Sequence, residues 1–177
     1  ADSDPDFHLY ADIVRETVGG LGKPMVVEPG RSMVGDAGVL LTHVVHVKRG
    51  VAKTFAIVDG AMNDLIRPTL YEAYHDVVAV RLDAADQETV TVDIVGPVCE
   101  SGDYLAQGRA MPVPQSGDLL AVKSAGAYGA VMASVYNSRP QAAEVLTHDG
   151  TFDVVRPRDS IDQLIERDRV PGWLQAS

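Results

Sequence analysis

A chain of 177 residues is long enough for one domain, or for one domain and a piece of another, around a core of useful size. Apolar residues make up 46% of it and mean hydropathy is near zero, an ordinary globular balance, and no apolar run is long enough to span a bilayer. A formal charge of −10 with no Lys/Arg cluster argues against a nucleic-acid partner and leaves small polar or zwitterionic ligands open.

The start, Ala1-Asp2-Ser3-Asp4, has neither the basic flank nor the apolar run of a secretory signal, and without an initiator methionine the chain is expected to be processed or truncated. Asp4-Pro5 reads as an N-cap with proline at the first helical position. Tyr10, Ile13, Val14, Thr17 and Val18 then recur at helical spacing until Gly19-Gly20. Met25-Val26-Val27 is a short, wholly apolar run, predicted to be a strand buried on both faces at the end of an α/β repeat.

Beyond Gly38 the texture becomes that of short strands: Val39 to Lys48, Thr54 to Val58, Val77 to Leu82, Thr89 to Val95, Leu119 to Lys123, Ala130 to Tyr136, Glu144 to Thr147 and Thr151 to Val155. Turns such as Arg49-Gly50, Ser116-Gly117-Asp118 and Asp149-Gly150 separate several of them, which predicts a β-barrel or sandwich. A helix is expected over Pro68 to Tyr74, and another after Ser160, whose spacing to Gln163 is that of a capping box. The expected fold is thus α/β plus all-β: residues 1–38 as the last αβ unit of a barrel, 39–155 as a β-rich domain and 156–177 as a terminal helical segment.

Four stretches could carry chemistry. Glu28-Pro29-Gly30-Arg31 follows the expected strand at its carboxyl end, where α/β folds place ligand loops; Gly30 permits close approach of an anion and Arg31 offers a fork of donors, although Pro-Gly is also a common plain turn. Arg67 and Tyr71 are spaced to share a helix face, for a ligand or merely for the arginine stem to cover the ring. Cys99, the only cysteine, excludes an internal disulfide and fits a reducing, cytoplasmic setting. Its neighbours Glu100 and Asp103 favour the protonated thiol, a proton donor more than a nucleophile. Gly126-Ala127-Tyr128-Gly129 sets a tyrosine among small residues, open to a ligand or to a tight bend. His43 and His46 are expected on opposite faces of a strand, and no metal site is expected.

Together these stretches, with Asp59-Gly60-Ala61-Met62-Asn63-Asp64-Leu65-Ile66-Arg67-Pro68, Leu70-Tyr71-Glu72-Ala73-Tyr74-His75, Gly96-Pro97-Val98-Cys99-Glu100-Ser101-Gly102-Asp103 and Tyr136-Asn137-Ser138-Arg139-Pro140, occur in one order along most of the chain. In that order they resemble the carboxy-terminal half of the diaminopimelate decarboxylases, members of the alanine-racemase-like, fold-type III pyridoxal-phosphate enzymes. The resemblance implies that residues 1–38 end a TIM-type barrel. It also implies a homodimer with shared active sites, an amino-acid substrate and the cofactor pyridoxal 5'-phosphate.

By that resemblance Glu28, Pro29, Gly30, Arg31 and Tyr128 meet the cofactor. Arg31, Arg67, Tyr71, Glu100 and Tyr128 hold substrate, with Glu100 taking its distal ammonium group, and Cys99 donates a proton in the partner subunit's centre. The family's cofactor lysine lies upstream of these motifs; Lys23, Lys48, Lys53 and Lys123 do not match it, so catalysis is expected only with an upstream barrel segment. Relatives acting on ornithine, arginine or carboxynorspermidine, and a non-catalytic binding or dimerisation domain, are the alternatives. The intact set Arg31, Arg67, Cys99, Glu100 and Tyr128 weighs against the last.

Overall fold

The computed structural model describes residues 6–81 and 88–174. Runs rich in valine, isoleucine, leucine and threonine form most of a six-stranded sheet: β1 Leu40–Arg49, β2 Thr54–Val58, β3 Val77–Ala79, β4 Thr89–Val95, β5 Tyr104–Pro112 and β6 Leu119–Val122. Their order is β3-β6-β1-β2-β4-β5, antiparallel throughout except for the parallel pair β2 and β4. The sheet curls until its edges approach, and Arg109 on β5 donates to the carbonyl of His75, just before β3, at 3.3 Å. This nearly closed barrel leaves little bare edge, and it surrounds Val44, Val58, Leu65, Ile94, Leu105 and Leu120, none more than 1% exposed.

Among the described residues three α-helices accompany the barrel: α1 Phe7–Val18, α2 Arg67–Tyr71 and α3 Ile161–Ile165. Proline sits in the first turn of α2, where its missing N–H costs nothing, and Glu72 ends the helix in the left-handed conformation at φ 53°. Ser160 and Gln163 form the expected capping box of α3. A separate hairpin, β7 Glu144–His148 with β8 Thr151–Arg156, turns at Asp149-Gly150, where both residues have positive φ. No helix among the described residues is long and apolar enough to cross a membrane.

Several expectations need correction. Met25-Val26-Val27 forms no strand and is exposed, Val26 to 87%, and α1 buries none of its residues. A strand needs hydrogen-bonding neighbours, and no described strand pairs with this run. The helix cap is Asp6, which accepts from the N–H groups of His8 and Leu9; Asp4 and Pro5 lie outside the described residues, as does Leu82. Ala130 to Tyr136 is not a strand but a loop with 3-10 turns at Ala130–Met132 and Tyr136–Ser138. The helix expected to Tyr74 stops at Tyr71.

Strand β5 went unrecognised because Ala106, Gln107, Gly108 and Ala110 are poor strand formers. Pairing with β4 overrides them, and Gly108, at φ +62°, gives its N–H to the buried Asp93 carboxylate at 2.7 Å. Finally, a register slip between Val44 and His46 cancels the alternation of β1, so His43 and His46 are both exposed instead of pointing to opposite sides.

Candidate active site

The sequence segments that build the site are far apart in the chain and are brought together by backbone contacts. The loop after Gly30 and the turn after β6 cross at Gly38 and Gly126: Ala125 N–H donates to Gly38 O and Gly126 N–H to Gly35 O, each at 2.9 Å. Residues Gly30–Met33 form a 3-10 turn held by Ser32 Oγ donating to Pro29 O at 2.7 Å. Gly30 adopts φ +56°, and a side chain there would meet the Tyr128 hydroxyl at 3.4 Å. Tyr128 itself is left-handed at φ +57°, a conformation uncommon for an aromatic residue, and 43% exposed.

The Arg67 guanidinium carbon lies 5.7 Å from the Tyr71 ring centre and 5.8 Å from that of Tyr128, within cation–π range of both. Gly30, Arg67, Tyr71 and Tyr128 therefore converge, and Arg31 is near enough for its charge to act on His75 along with that of Arg67. Two guanidinium groups, two phenols and an open backbone suit an anionic ligand bearing carboxylate or phosphate. Glu28 is exposed and makes no contact that distinguishes it.

Cys99 and Glu100 are exposed on the loop between β4 and β5, and Glu100 Oε1 accepts from Gly102 N–H at 3.2 Å. That loop docks on α2 through Thr69, whose hydroxyl donates to Gly102 O. Thr69 is turned about 200° around the helix from Arg67. Within one chain the Cys99 loop thus meets α2 at Thr69, away from the face that carries Arg67 and Tyr71.

Sequence reasoning gave no structural role to the groups that fix this geometry. Asp103, 4% exposed, accepts from Met62 N–H at 2.7 Å and Val98 N–H at 2.6 Å, tying the loop before α2 to the Cys99 loop. Buried Asn63 donates to Ser134 O and accepts from Arg139 Nε at 3.0 Å. Asp64 accepts from Ala61 N–H; burial raises its pKa, with that hydrogen bond and Arg139 pulling the other way. His75 is buried beside the arginines. Polar residues inside otherwise apolar motifs are the one signal that could have found them.

The described residues contain no group of three or more His, Cys, Asp or Glu placed to hold a metal. Lys53 and Lys123 are engaged with Asp93 at 2.7 Å and Asp76 at 2.9 Å.

Comparison with known proteins settles the family. The family model "Pyridoxal-dependent decarboxylase, C-terminal sheet domain" matches residues 7–126. The chain belongs to this decarboxylase family. It is 44% identical to the diaminopimelate decarboxylase of Zymomonas mobilis over 96% of its own length and 40% of that relative's. Among solved structures, the diaminopimelate decarboxylase of M. jannaschii superposes with a TM-score of 0.89 at 34% identity, over 98% of this chain and 40% of the other. The Helicobacter pylori diaminopimelate decarboxylase complexed with L-lysine superposes at 0.84 with 37% identity, over 94% of this chain and 40% of the other. The chain thus spans about 40% of the length of these relatives.

Proposed function

We propose that this chain is the substrate-gripping part of a decarboxylase that converts meso-2,6-diaminopimelate to L-lysine and carbon dioxide, completed by an upstream barrel segment. The observation that carries the reading is Arg67 lying beside both Tyr71 and Tyr128, next to the open backbone of Gly30. Residues 1–38 end the barrel: exposed Met25, Val26 and Val27 have the composition of a strand awaiting neighbours.

Pyridoxal phosphate, when bound, supplies the electron sink for the pair left by the departing carboxylate. Glu28, Pro29, Gly30, Arg31 and Tyr128 hold it, and the open Gly30 backbone beside the Tyr128 hydroxyl fits a phosphate-bearing ring. Arg31 and Arg67 bind carboxylate, with Tyr71 and Tyr128 flanking the guanidinium of Arg67. Glu100 takes the distal ammonium, and Cys99 Sγ–H delivers a proton to the substrate carbon. Because Thr69 docks the Cys99 loop on the far side of α2, Cys99 and Glu100 act in the centre of a second copy, in a homodimer.

The test joins this chain to the barrel segment of a related diaminopimelate decarboxylase and follows carbon dioxide release with pyridoxal phosphate present. Diaminopimelate should be preferred over ornithine, arginine and carboxynorspermidine by a large factor in kcat/KM. Preference for any of the three would replace the substrate assignment. The unjoined chain should be inactive, since none of its lysines matches the cofactor lysine.

A further inference from the structure

Two buried nitrogen atoms near α2 have opposite needs. His75 is 1% exposed, and its Nδ1 lies 2.9 Å from the Lys123 carbonyl oxygen. A carbonyl can only accept, so Nδ1 carries the hydrogen. Its Nε2 has no hydrogen-bond partner among the described residues, and neither has Arg67 Nε on the first residue of α2. Burial, followed by the charges of Arg67, Arg31 and Arg109, favours the neutral ring against the pull of the Lys123 carbonyl. Nε2 therefore offers a lone pair where Arg67 Nε offers a proton, and buried groups of this kind are normally paired.

Arg109 Nε is buried and unpartnered too, but that guanidinium is already fixed. It donates to Gln107 O and His75 O, and its carbon lies 3.8 Å from the centre of the Tyr74 ring. Its charge also acts on the imidazole less than that of Arg67. The imidazole, for its part, has a firm anchor. Lys123 N–H donates to Asp76 O at 2.8 Å and Lys123 Nζ pairs with Asp76 at 2.9 Å, fastening this segment to the end of β6.

We propose that His75 is the positioning residue for Arg67: a bridging water accepts from Arg67 Nε–H and donates to His75 Nε2, and this holds the guanidinium beside Tyr71 and Tyr128 with its terminal nitrogens free for a substrate carboxylate. The proposal rests on the reading of Arg67 as a carboxylate anchor. It accounts for how a helix of five residues with an exposed Tyr71 can hold an arginine in one orientation.

The test uses the complete enzyme loaded with pyridoxal phosphate. His75→Asn keeps a donor for Lys123 O and removes the second acceptor, whereas His75→Gln places an amide oxygen near the position of Nε2. His75→Asn should raise KM for diaminopimelate roughly tenfold with little change in kcat, and His75→Gln should recover most of the loss. Equal KM changes in both variants, or none in either, overturn the proposal. Nitrogen NMR of the histidine rings gives a readout independent of activity and of how the variants fold. The His75 ring should be the neutral Nδ1–H tautomer, and its Nε2 signal should move in Arg67→Lys. An Nε2–H tautomer, or an unmoved signal, also overturns it. Expected ring signals in an enzyme that ignores diaminopimelate would instead refute the functional reading alone.

Discussion

Gly38 and Gly126 pass so closely that a side chain on Gly38 would lie 2.6 Å from the Gly126 α-carbon, and one on Gly126 would lie 2.0 Å from the Val34 carbonyl oxygen. This crossing holds the Gly30–Arg31 turn against Tyr128, so a change here acts on the site through the backbone. Gly126→Ala should cost about 1–3 kcal/mol by overpacking and should lower activity in the complete enzyme. Urea unfolding checks the first effect and carbon dioxide release the second. An alanine variant as stable as the parent would show that the two loops separate easily.

Asp103 is the second structural joint. Replacing it with alanine leaves the Met62 and Val98 N–H groups without their acceptor, a loss of about 3 kcal/mol. Gly96→Ala should be similarly harmful, because the new methyl would lie 2.3 Å from the Asp103 carboxylate. Thermal melting of both variants measures this, and a shift in neither would mean that the two loops are held by other contacts.

Arg67 faces Tyr128 from one side of α2 while Thr69 meets the Cys99 loop from another, and the dimer reading turns this into a mixing experiment. Cys99→Ala and Arg67→Ala enzymes should each be nearly inactive. Dimers re-formed from an equal mixture should recover about a quarter of parent activity, because half are mixed and each mixed dimer keeps one intact centre. No recovery in dimers shown to have exchanged subunits would place Cys99 and Arg67 in the same centre.

Folding should respond to pH in two steps. Burial above all, then Arg67, Arg31 and Arg109, holds His75 below its ordinary 6.5. The unfolded chain then takes up the proton more readily, so the stability His75 contributes is present above pH 6.5 and declines as pH falls from there through the folded-state value.

Asp59 and Asp93 are lowered from 3.8: burial pushes both up, but hydrogen bonds from Thr42 and His43 to Asp59, and from Lys53 and Gly108 to Asp93, outweigh it. Their contribution is present above 3.8 and lost as pH falls below it through the folded-state values. Asp64, raised by burial, works the other way and is relieved by protonation. Urea midpoints across a pH series should show the first decline in the parent and not in His75→Asn.

Local chemistry made much of this legible. The strands β1, β2, β4 and β6 follow from apolar and β-branched runs, the β7–β8 turn from Asp149-Gly150, and the α3 cap from Ser160 and Gln163. Arg67 and Tyr71 could be paired from their helical spacing, and Tyr128 was marked by its small neighbours. Strand β5 was hidden because its residues favour a strand only when β4 lies alongside.

The sequence by itself determined where chain segments form and which side chains could grip an anion, because propensity, capping and helical spacing act over a few residues. Only the tertiary structure decided that Tyr128 meets Arg67, that Thr69 docks the Cys99 loop on the other side of α2, that His43 and His46 turn the same way, and that Met25 to Val27 lies bare. Each of these depends on a partner distant in the chain, or on a one-residue slip in register, and neither leaves a mark in local composition.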